Sequence, residues 1–483
     1  MKNKFFKIII AVFGITVFYS CDDQIDDYQP YDAVVLETFY QTPSDFEQAS
    51  TALYSAFRSA GYYDGGGSAG GLIIVPDILS DNLIFNTEGR QSGRNTAEFT
   101  YNTNNTPTAI YGSAYRSISR ANLIIDQIDN LNDGAFKNNI LGQALAIRGL
   151  CHFDVARFYS KIPTQSADAN NSIGIAYSKT YDPQARPARL ETVQETYAEI
   201  INDLETASTL IATDNGEGKL DLAAVKGLLS RVYLYQGNHV LAAQRAQESI
   251  DAGATLVSRA NFRATWLDSN SDDVLFKVKI TQQDNVFIGN DYNQLLNGQL
   301  YSEYVCDFGL FQLYQNSDIR KTAYIQTSQT GDFTYNHIIK YYQNASGLRF
   351  VDGKYLRTSE VYLNMAEAKF RNNDEAGALA ALNMVRTRRY SPYTPGSESG
   401  QGLWNAIMLE RRLELAFESD RFFTLKRLGL GLQRSGFGHL ADGAGNIAFP
   451  QTVPASSHLW QLPISQLALN SNPNIIPNPD YQN

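Results

Sequence analysis

The stretch YLYQGNHVLAAQRAQESI (Tyr233–Ile250) aligns without gaps on a second stretch, AKFRNNDEAGALAALNMV (Ala368–Val385). Each has an aromatic residue, then a polar turn, then a segment rich in small residues in which Ala246 matches Ala381. A turn between two segments of helical periodicity predicts a helical hairpin, and small side chains let its helices approach closely. The two stretches therefore predict two hairpins that are built in the same way.

The first hairpin has the length of a known repeat unit. The window Leu220–Gly253 holds 34 residues in the order helix, turn, helix, which resembles a tetratricopeptide unit. Further windows with helical periodicity are Ser44–Gly61, Ala109–Leu131, Asn138–Pro163 and Glu191–Ile211. Ser44 is expected to cap the first of these helices, and Thr192 with Glu195 forms a capping-box pattern in the last. Together they predict an all-α dominated protein whose scaffold is made of tetratricopeptide-type helix pairs.

Two long segments do not fit this scaffold. Residues 62–105 and the region near 260–345 are rich in Asn, Gln, Gly and Tyr, with little periodicity apart from a predicted strand at Asp272–Ile280. The chain holds 29 Tyr and 25 Phe against 3 Trp. Tyrosine in a loop combines a flat apolar face with a polar tip, which suits a wet, shallow binding surface. We therefore expect these segments to be irregular, functional loops with few short strands rather than disordered chain.

The N-terminus is typical of an exported lipoprotein. Residues 1–7 carry three lysines and no acid, and the thirteen residues 8–20 are uncharged and mostly apolar. Such a run spans about 20 Å as a helix, short of the roughly 30 Å bilayer core, so residues 1–20 are predicted to be a signal peptide. Cys21 then resembles the lipidated cysteine of bacterial lipoproteins, and the acidic stretch after it predicts a hydrated tether over residues 21–35. The alternatives are a buried N-terminal helix and a free cysteine at a secreted terminus.

Charge and cysteine content argue against a nucleic-acid-binding protein and against a disulfide-rich protein. The net charge of −10 becomes −10 − 3 = −13 when the three leader lysines are removed, and this acidity disfavours nucleic acid as a partner. Only Cys151 and Cys306 remain after Cys21. No disulfide framework is expected, so stability must come from a large core.

No group of residues predicts catalysis or a metal site. None of the five histidines lies three or four residues from another. GGGSAGG (Gly65–Gly71) matches two glycine motifs by letters, but a helix precedes it where both motifs need a strand, so a flexible loop is expected. DSNSDD (Asp268–Asp273) lacks the spacing of a calcium loop and is expected to be a turn before the strand. The charged helix ERRLELAFESDRFFTLKR (Glu410–Arg427) is expected to form an ion-pair network.

Four segments occur in an order that matches one family. They are ALAIRGLCHFDVARFYSKIP (144–163), YLRTSEVYLNMAEAKFRNNDEAGALAALNMVRTRR (355–389), ERRLELAFESDRFFTLKR (410–427) and LWQLPISQLALNSNPNIIPNPDY (459–481). Glu360, Glu367 and Arg386 fall where the pattern of that family places them, whereas Ser160 stands where it usually has glycine. In these segments the chain resembles the SusD/RagB-like family, the surface lipoproteins of Bacteroidetes nutrient-uptake systems, and the resemblance runs from Cys21 to Asn483.

The resemblance implies a function as well as a fold. Residues 36–483 would form a SusD-like domain that does no chemistry and needs no cofactor, with an irregular, loop-rich ligand-binding subdomain. It would bind a poly- or oligosaccharide at the cell exterior, anchored by lipid to the outer membrane, and deliver the glycan to a SusC-like TonB-dependent transporter. Because some relatives serve peptides, a peptide-uptake subunit is the first alternative. A surface glycosidase and a structural lid without ligand affinity are the others.

Residue type and location predict where such a ligand would bind. Sugars lay their apolar C–H faces on aromatic rings, while Asn, Asp, Gln and Arg hold their hydroxyls. The family places its ligand contacts in the two irregular segments, though not at fixed positions. The candidates there are Tyr62, Tyr63, Phe85, Asn86, Arg90, Phe99, Tyr101, Asn102, Tyr292, Tyr301 and Tyr304. For each of them the alternative is a packed loop residue.

Overall fold

Helices are the main regular secondary structure of the protein. The computed structural model describes residues 39–58, 61–63, 71–284, 286–290, 292–344, 347–348 and 350–481. The helices are α1 (Pro43–Ser55), α2 (Val75–Ile78), α3 (Arg94–Ala97), α4 (Ile110–Asp126), α5 (Ala135–Tyr159), α6 (Val193–Leu210), α7 (Leu222–Gln236), α8 (His239–Asp251), α9 (Phe262–Trp266), α10 (Phe308–Leu313), α11 (Arg320–Tyr324), α12 (Thr358–Arg371), α13 (Glu375–Arg386), α14 (Gly400–Glu414), α15 (Arg421–Arg427) and α16 (Gln466–Ser471). The predicted all-α dominated class is confirmed.

A row of helices packed side by side forms the scaffold. Helix α4 packs on α5, α5 on α6, α6 on α7 and α7 on α8, and α12 continues the row by packing on α8 and pairing with α13. The two hairpins predicted from the sequence are α7–α8 and α12–α13, and Ala246 and Ala381 are buried in them. Gly149 shows why small residues are needed, because a Cβ there would come within 2.9 Å of Leu204 Cγ on α6. The packing agrees with tetratricopeptide-type helix pairs.

The helix starts follow local hydrogen bonding. Thr192 caps α6 as predicted: the Glu195 backbone N–H donates to the Thr192 hydroxyl at 3.0 Å, and the Thr192 backbone N–H donates to the Glu195 carboxylate at 3.0 Å. The prediction of Ser44 as the cap of α1 was wrong. Thr42 has that role in a capping box with Asp45, because the helix begins at Pro43, whose fixed φ suits the first helical turn.

Short strands lie mostly between the two hairpins. They are β1 (Leu83–Phe85), β2 (Val274–Val278), β3 (Gln294–Leu296), β4 (Gln299–Tyr301), β5 (Tyr304–Cys306), β6 (Ile325–Thr330), β7 (Phe333–Ile338), β8 (Gln343–Asn344), β9 (Gly347–Leu348), β10 (Gly353–Arg357), β11 (Leu432–Gln433) and β12 (Thr452–Val453). The predicted strand is β2, which pairs with β10, and the DSNSDD stretch forms the turn before it. A four-stranded antiparallel sheet, in the order β1-β5-β7-β6, was not predicted. In it Leu83 lies opposite Cys306.

A buried ion network joins the region between the two hairpins to the helical scaffold. The Glu414 carboxylate at the end of α14 accepts from Arg389 at 2.8 Å, Arg357 at 2.9 Å and Arg320 at 3.1 Å, and all four side chains are buried. Burial alone would raise the pKa of Glu414, but Arg389 and Arg357 lower that pKa well below its ordinary value. The predicted ion-pair network of the charged helix is thus confirmed. These partners of Glu414 come from residues 320–389, not from the neighbouring arginines of its own helix.

Several sequence predictions concern regions that the structure does not describe. The signal peptide (1–20), the tether (21–35) with Cys21, and most of the stretch Gly65–Gly71 lie outside the described residues. Within the described ranges, Cys151 and Cys306 are buried free thiols. No helix of the described residues is both long and apolar enough to cross a membrane. No cluster of three or more His, Cys, Asp or Glu in that part of the chain is suited to hold a metal ion.

Candidate functional site

The two irregular segments meet at the edge of the four-stranded sheet. Strand β1 pairs with β5, so that Phe85 lies opposite Tyr304. Beyond the strands, the buried Glu303 carboxylate accepts from the Arg90 guanidinium and from the Ser92 backbone N–H, the latter at 2.9 Å. The Tyr301 hydroxyl donates to the Glu88 carbonyl at 3.0 Å. The two regions that were predicted to carry the ligand surface are therefore in direct contact.

A third segment completes a cleft beside them. The chain from Arg434 to Gln451 folds over β1, and the Asn446 side-chain amide donates to the Thr87 hydroxyl at 2.7 Å. The result is an open cleft of about 340 Å³, which we call the loop cleft. Its lining residues are Ile78, Leu83, Phe85, Thr87, Gln91, Arg94, Ala97, Glu98, Tyr304, Arg434, Ile447, Ala448 and Phe449.

Part of the lining of the loop cleft is apolar. Phe449 is 70% exposed and Ile447 is 58% exposed, although both are large hydrophobic residues. Phe85 is half-buried and packs edge-on against Tyr304, with ring centroids 5.5 Å apart. Isolated exposed hydrophobic residues are common on protein surfaces, but grouped ones that line a concavity are typical of binding sites.

The loop cleft also has polar and charged lining residues. The Arg94 guanidinium pairs with the Glu98 carboxylate at 2.6 Å and donates to the Gln91 side-chain oxygen at 3.0 Å. Arg434 lies deeper, and burial lowers the pKa of its guanidinium to about 10, so it stays cationic at neutral pH. An apolar ring face beside amide and guanidinium donors can hold a ligand that has both apolar faces and hydroxyl groups.

Most of the predicted candidates turn out to be core residues. Those with buried side chains are Tyr62, Tyr63, Asn86, Phe99, Tyr101, Tyr292 and Tyr304. Their polar atoms have partners inside the protein: the Tyr62 hydroxyl donates to Asp154 at 2.7 Å, and the Tyr101 hydroxyl to the Leu459 carbonyl at 2.6 Å. A buried side chain has no surface to offer a sugar, so burial argues against ligand contact for all seven except Tyr304, which lines the loop cleft.

The remaining candidates keep some surface. Phe85 lines the loop cleft, whereas Arg90, Asn102 and Tyr301 are not among its lining residues. The Asn102 side-chain oxygen accepts from the Asn104 backbone N–H at 2.9 Å, which fixes a turn. Whether any of these four contacts a ligand stays a prediction.

Comparison with known proteins identifies the family. A sequence model described as "SusD family" matches residues 312–481, and one described as "Starch-binding associating with outer membrane" matches residues 75–234. "SusD-like protein P2" of Formosa agariphila is 26% identical over an alignment that covers 99% of this chain and 100% of the relative. The chain belongs to the SusD family.

Solved structures share the fold of this chain. A Bacteroides vulgatus structure, described as a candidate sugar binding protein, is 27% identical with a TM-score of 0.80, covering 91% of this chain and 98% of that one. A laminarin-binding SusD-like protein, 20% identical, has a TM-score of 0.69 over 91% of this chain and 99% of its own. The second likeness is evidence for the fold alone.

The loop cleft of this SusD-family chain contains residues that sequence reasoning missed. Gln91, Arg94 and Glu98 belong to the predicted segment 62–105 but were not singled out. Arg434 and Phe449 lie outside both predicted segments. A signal for them was present, because SGFGHLADGAGNIAFP (435–450) is as rich in glycine and aromatic residues as the other two irregular segments.

Proposed function

We propose that this protein captures a poly- or oligosaccharide at the cell surface and delivers it to a partner TonB-dependent outer-membrane transporter. The sugar binds in the loop cleft. The SusD-family membership of the chain and its likeness to a candidate sugar binding protein support the ligand class. Delivery to a transporter rests on the family resemblance.

The observation that carries the proposal is the composition of the loop cleft. The exposed ring of Phe449 and the side chain of Ile447 line the same cleft as Gln91, Arg94 and Glu98. A pyranose ring has one face of C–H groups and a rim of hydroxyls, so it needs an apolar platform next to hydrogen-bonding groups. Three separate chain segments supply these two kinds of surface to one cavity of about 340 Å³.

The same cleft favours binding over hydrolysis. Glycoside hydrolysis uses two carboxyl groups about 5–10 Å apart on either side of the scissile bond. Glu98 is the single carboxylate among the described residues that line the loop cleft, and it pairs with Arg94 at 2.6 Å. The described lining residues of the loop cleft therefore do not supply the two carboxyl groups that glycoside hydrolysis requires.

The N-terminus supports a surface location. Cys21 would carry the lipid, and residues 22–35 would hold the domain away from the membrane as an acidic tether. One matching sequence model is described as outer-membrane associated, in agreement with this assignment. Acidic residues directly after a lipidated cysteine resemble the surface-export signal of Bacteroidetes lipoproteins.

Affinity electrophoresis of the purified mature protein tests the ligand class. The protein runs in native gels that contain one polysaccharide each, with peptide binding measured in parallel by calorimetry. We expect retardation in at least one polysaccharide gel, no heat from peptides and no release of reducing sugar. Peptide binding without retardation would favour a peptide-uptake subunit, and released reducing sugar would establish a glycosidase.

A further inference from the structure

Arg434 combines burial with an unused hydrogen-bond donor. It lines the loop cleft, yet only 6% of its surface is exposed. Its Nη1 donates to the Pro450 carbonyl at 3.1 Å, and its Nη2 donates to the carbonyls of Ala97 at 3.0 Å and Ile78 at 3.3 Å. Its Nε is buried and has no partner among the described residues. A guanidinium has five N–H donors, so these three bonds leave donors free.

The charge of Arg434 is not balanced by a carboxylate. The two acidic residues in its neighbourhood are engaged elsewhere: Asp81 pairs with Arg421 at 2.7 Å and with Arg412 at 3.3 Å. Asp307 accepts from the Ser435 hydroxyl at 2.5 Å and from the Leu310 backbone N–H at 3.0 Å. Buried charges in proteins are normally paired, because removing an ion from water costs several kcal/mol.

Other buried arginines of this chain show the contrast. Arg357, Arg389 and Arg427 each bind a carboxylate at 2.6–2.9 Å. Arg189, like Arg434, is held by neutral oxygens, but there Nε donates to the Gly174 carbonyl at 2.6 Å. Arg389 and Arg427 also have a buried nitrogen without a partner in the described part of the chain, and Arg189 also has no carboxylate partner there. Arg434 is the one of these five arginines that combines a missing counter-ion, an unpartnered Nε and a position on the open loop cleft.

We infer that the loop cleft takes a glycan with an anionic substituent, a uronate carboxylate or a sulfate ester, and that Arg434 pairs with that group. The inference rests on the proposed function and adds the chemical class of the sugar. Carboxylate and sulfate oxygens fit the planar guanidinium fork, and such charge-assisted bonds are about twice as strong as neutral ones. Arg94 and Arg434 against Glu98 give the cleft lining a net charge of 2 − 1 = +1, in a protein of net charge −10.

The test compares polysaccharides that differ only in charge. Polygalacturonate and its carboxyl-reduced form supply the uronate arm, and carrageenan and its desulfated form supply the sulfate arm. Affinity electrophoresis of the mature protein yields a Kd for each polysaccharide. We expect the charged member of one pair to bind at least tenfold more tightly than its neutral partner, and this preference to shrink as salt is raised. Because the protein is itself acidic, its overall charge would repel the anionic polysaccharide and favour the neutral member of each pair.

Substitutions of Arg434 test whether this residue causes the preference for charged polysaccharides. Arg434→Gln should remove the tenfold preference, and Arg434→Lys should keep part of it, because lysine retains the charge but lacks the fork. The matched control is Arg189→Gln, which removes another buried guanidinium held by neutral oxygens and should leave the preference unchanged. Thermal unfolding of each variant shows whether the fold survives. The salt dependence of the unmodified protein tests the charge preference even if Arg434→Gln does not fold.

Each contrary outcome has one meaning. Equal affinity for the charged and neutral members would overturn the inference and leave the proposed function standing. The same holds if Arg434→Gln weakens both members equally, because Arg434 would then only hold the loop in place. If no polysaccharide of either pair, nor any in the wider panel, retards the protein, the proposed function fails and the inference falls with it.

Discussion

Phe449 offers the sharpest single test of the loop cleft. Its ring is 70% exposed, so replacing it removes little packing from the folded protein. An aromatic side chain has an area of about 200 Å², so roughly 140 Å² of Phe449 faces solvent, and a sugar on one ring face would cover about 70 Å². At about 25 cal/mol per Å² this burial contributes roughly 1.8 kcal/mol, or about twentyfold in Kd. Phe449→Ala should therefore weaken glycan binding about twentyfold.

The assay needs a control for loss of any exposed ring. Phe136 in the first turn of α5 is 42% exposed and belongs to the helical scaffold, so Phe136→Ala should leave Kd within twofold of the unmodified protein. Both variants are measured by affinity electrophoresis against the polysaccharide that retards the unmodified protein, and both should unfold within about 2 °C of it. If Phe449→Ala keeps full affinity, or if Phe136→Ala loses as much, the sugar does not stack on Phe449.

Four further predictions concern the core and the anchor. Tyr101→Ala should cost about 3–5 kcal/mol in urea unfolding, because the ring is buried and its hydroxyl donates to Leu459; unchanged stability would contradict the packing. Glu414→Gln should cost roughly 3–5 kcal/mol, since it leaves buried arginines without their shared carboxylate, and a loss under about 1 kcal/mol would refute that role. Burial raises the pKa of Asp77 to about 7. Its carboxyl loses its proton near pH 4 in the unfolded chain and near pH 7 in the folded one, so the folded state loses stability as pH rises between these values. The difference in free energy of unfolding between Asp77→Asn and the unmodified protein should therefore be roughly 3 kcal/mol more in favour of the variant at pH 8 than at pH 5. The same difference at both pH values would contradict the raised pKa of Asp77. Cys21→Ala should release the protein into the soluble fraction, whereas neutralising the four aspartates at 22, 23, 26 and 27 should keep it anchored but shielded from protease on intact cells; continued cleavage would refute the export signal.

The helical scaffold could be predicted because its signals are local. Periodicity and small residues locate both hairpins, and Thr192 with Glu195 marks a helix start within four residues. The four-stranded sheet has no such local sequence signal, because β1 is only three residues long and pairs with β5, which is far away in the sequence. The partners of Glu414 escaped prediction for the same reason: Arg320, Arg357 and Arg389 are distant in sequence.

The loop cleft could be predicted only by region. Tyr101 and Phe449 are both aromatic residues in glycine- or asparagine-rich segments, yet one is buried and the other exposed. Their difference is set by tertiary partners, such as the Leu459 carbonyl that accepts from Tyr101. Choosing ligand-contact candidates by residue type alone therefore selects tyrosines that are buried in the core of the folded protein. The exposed rings and the unpaired Arg434 become visible only when all three segments are assembled.

Hydrogen–deuterium exchange with and without the retarding polysaccharide tests the central claim most directly. Binding in the loop cleft should slow amide exchange in residues 83–98 and 434–451, because a bound sugar covers these segments. Exchange in the scaffold helices α5 and α6 should stay unchanged. Protection of the helices with no change in either cleft segment would contradict the account, because the glycan would then bind elsewhere on the protein.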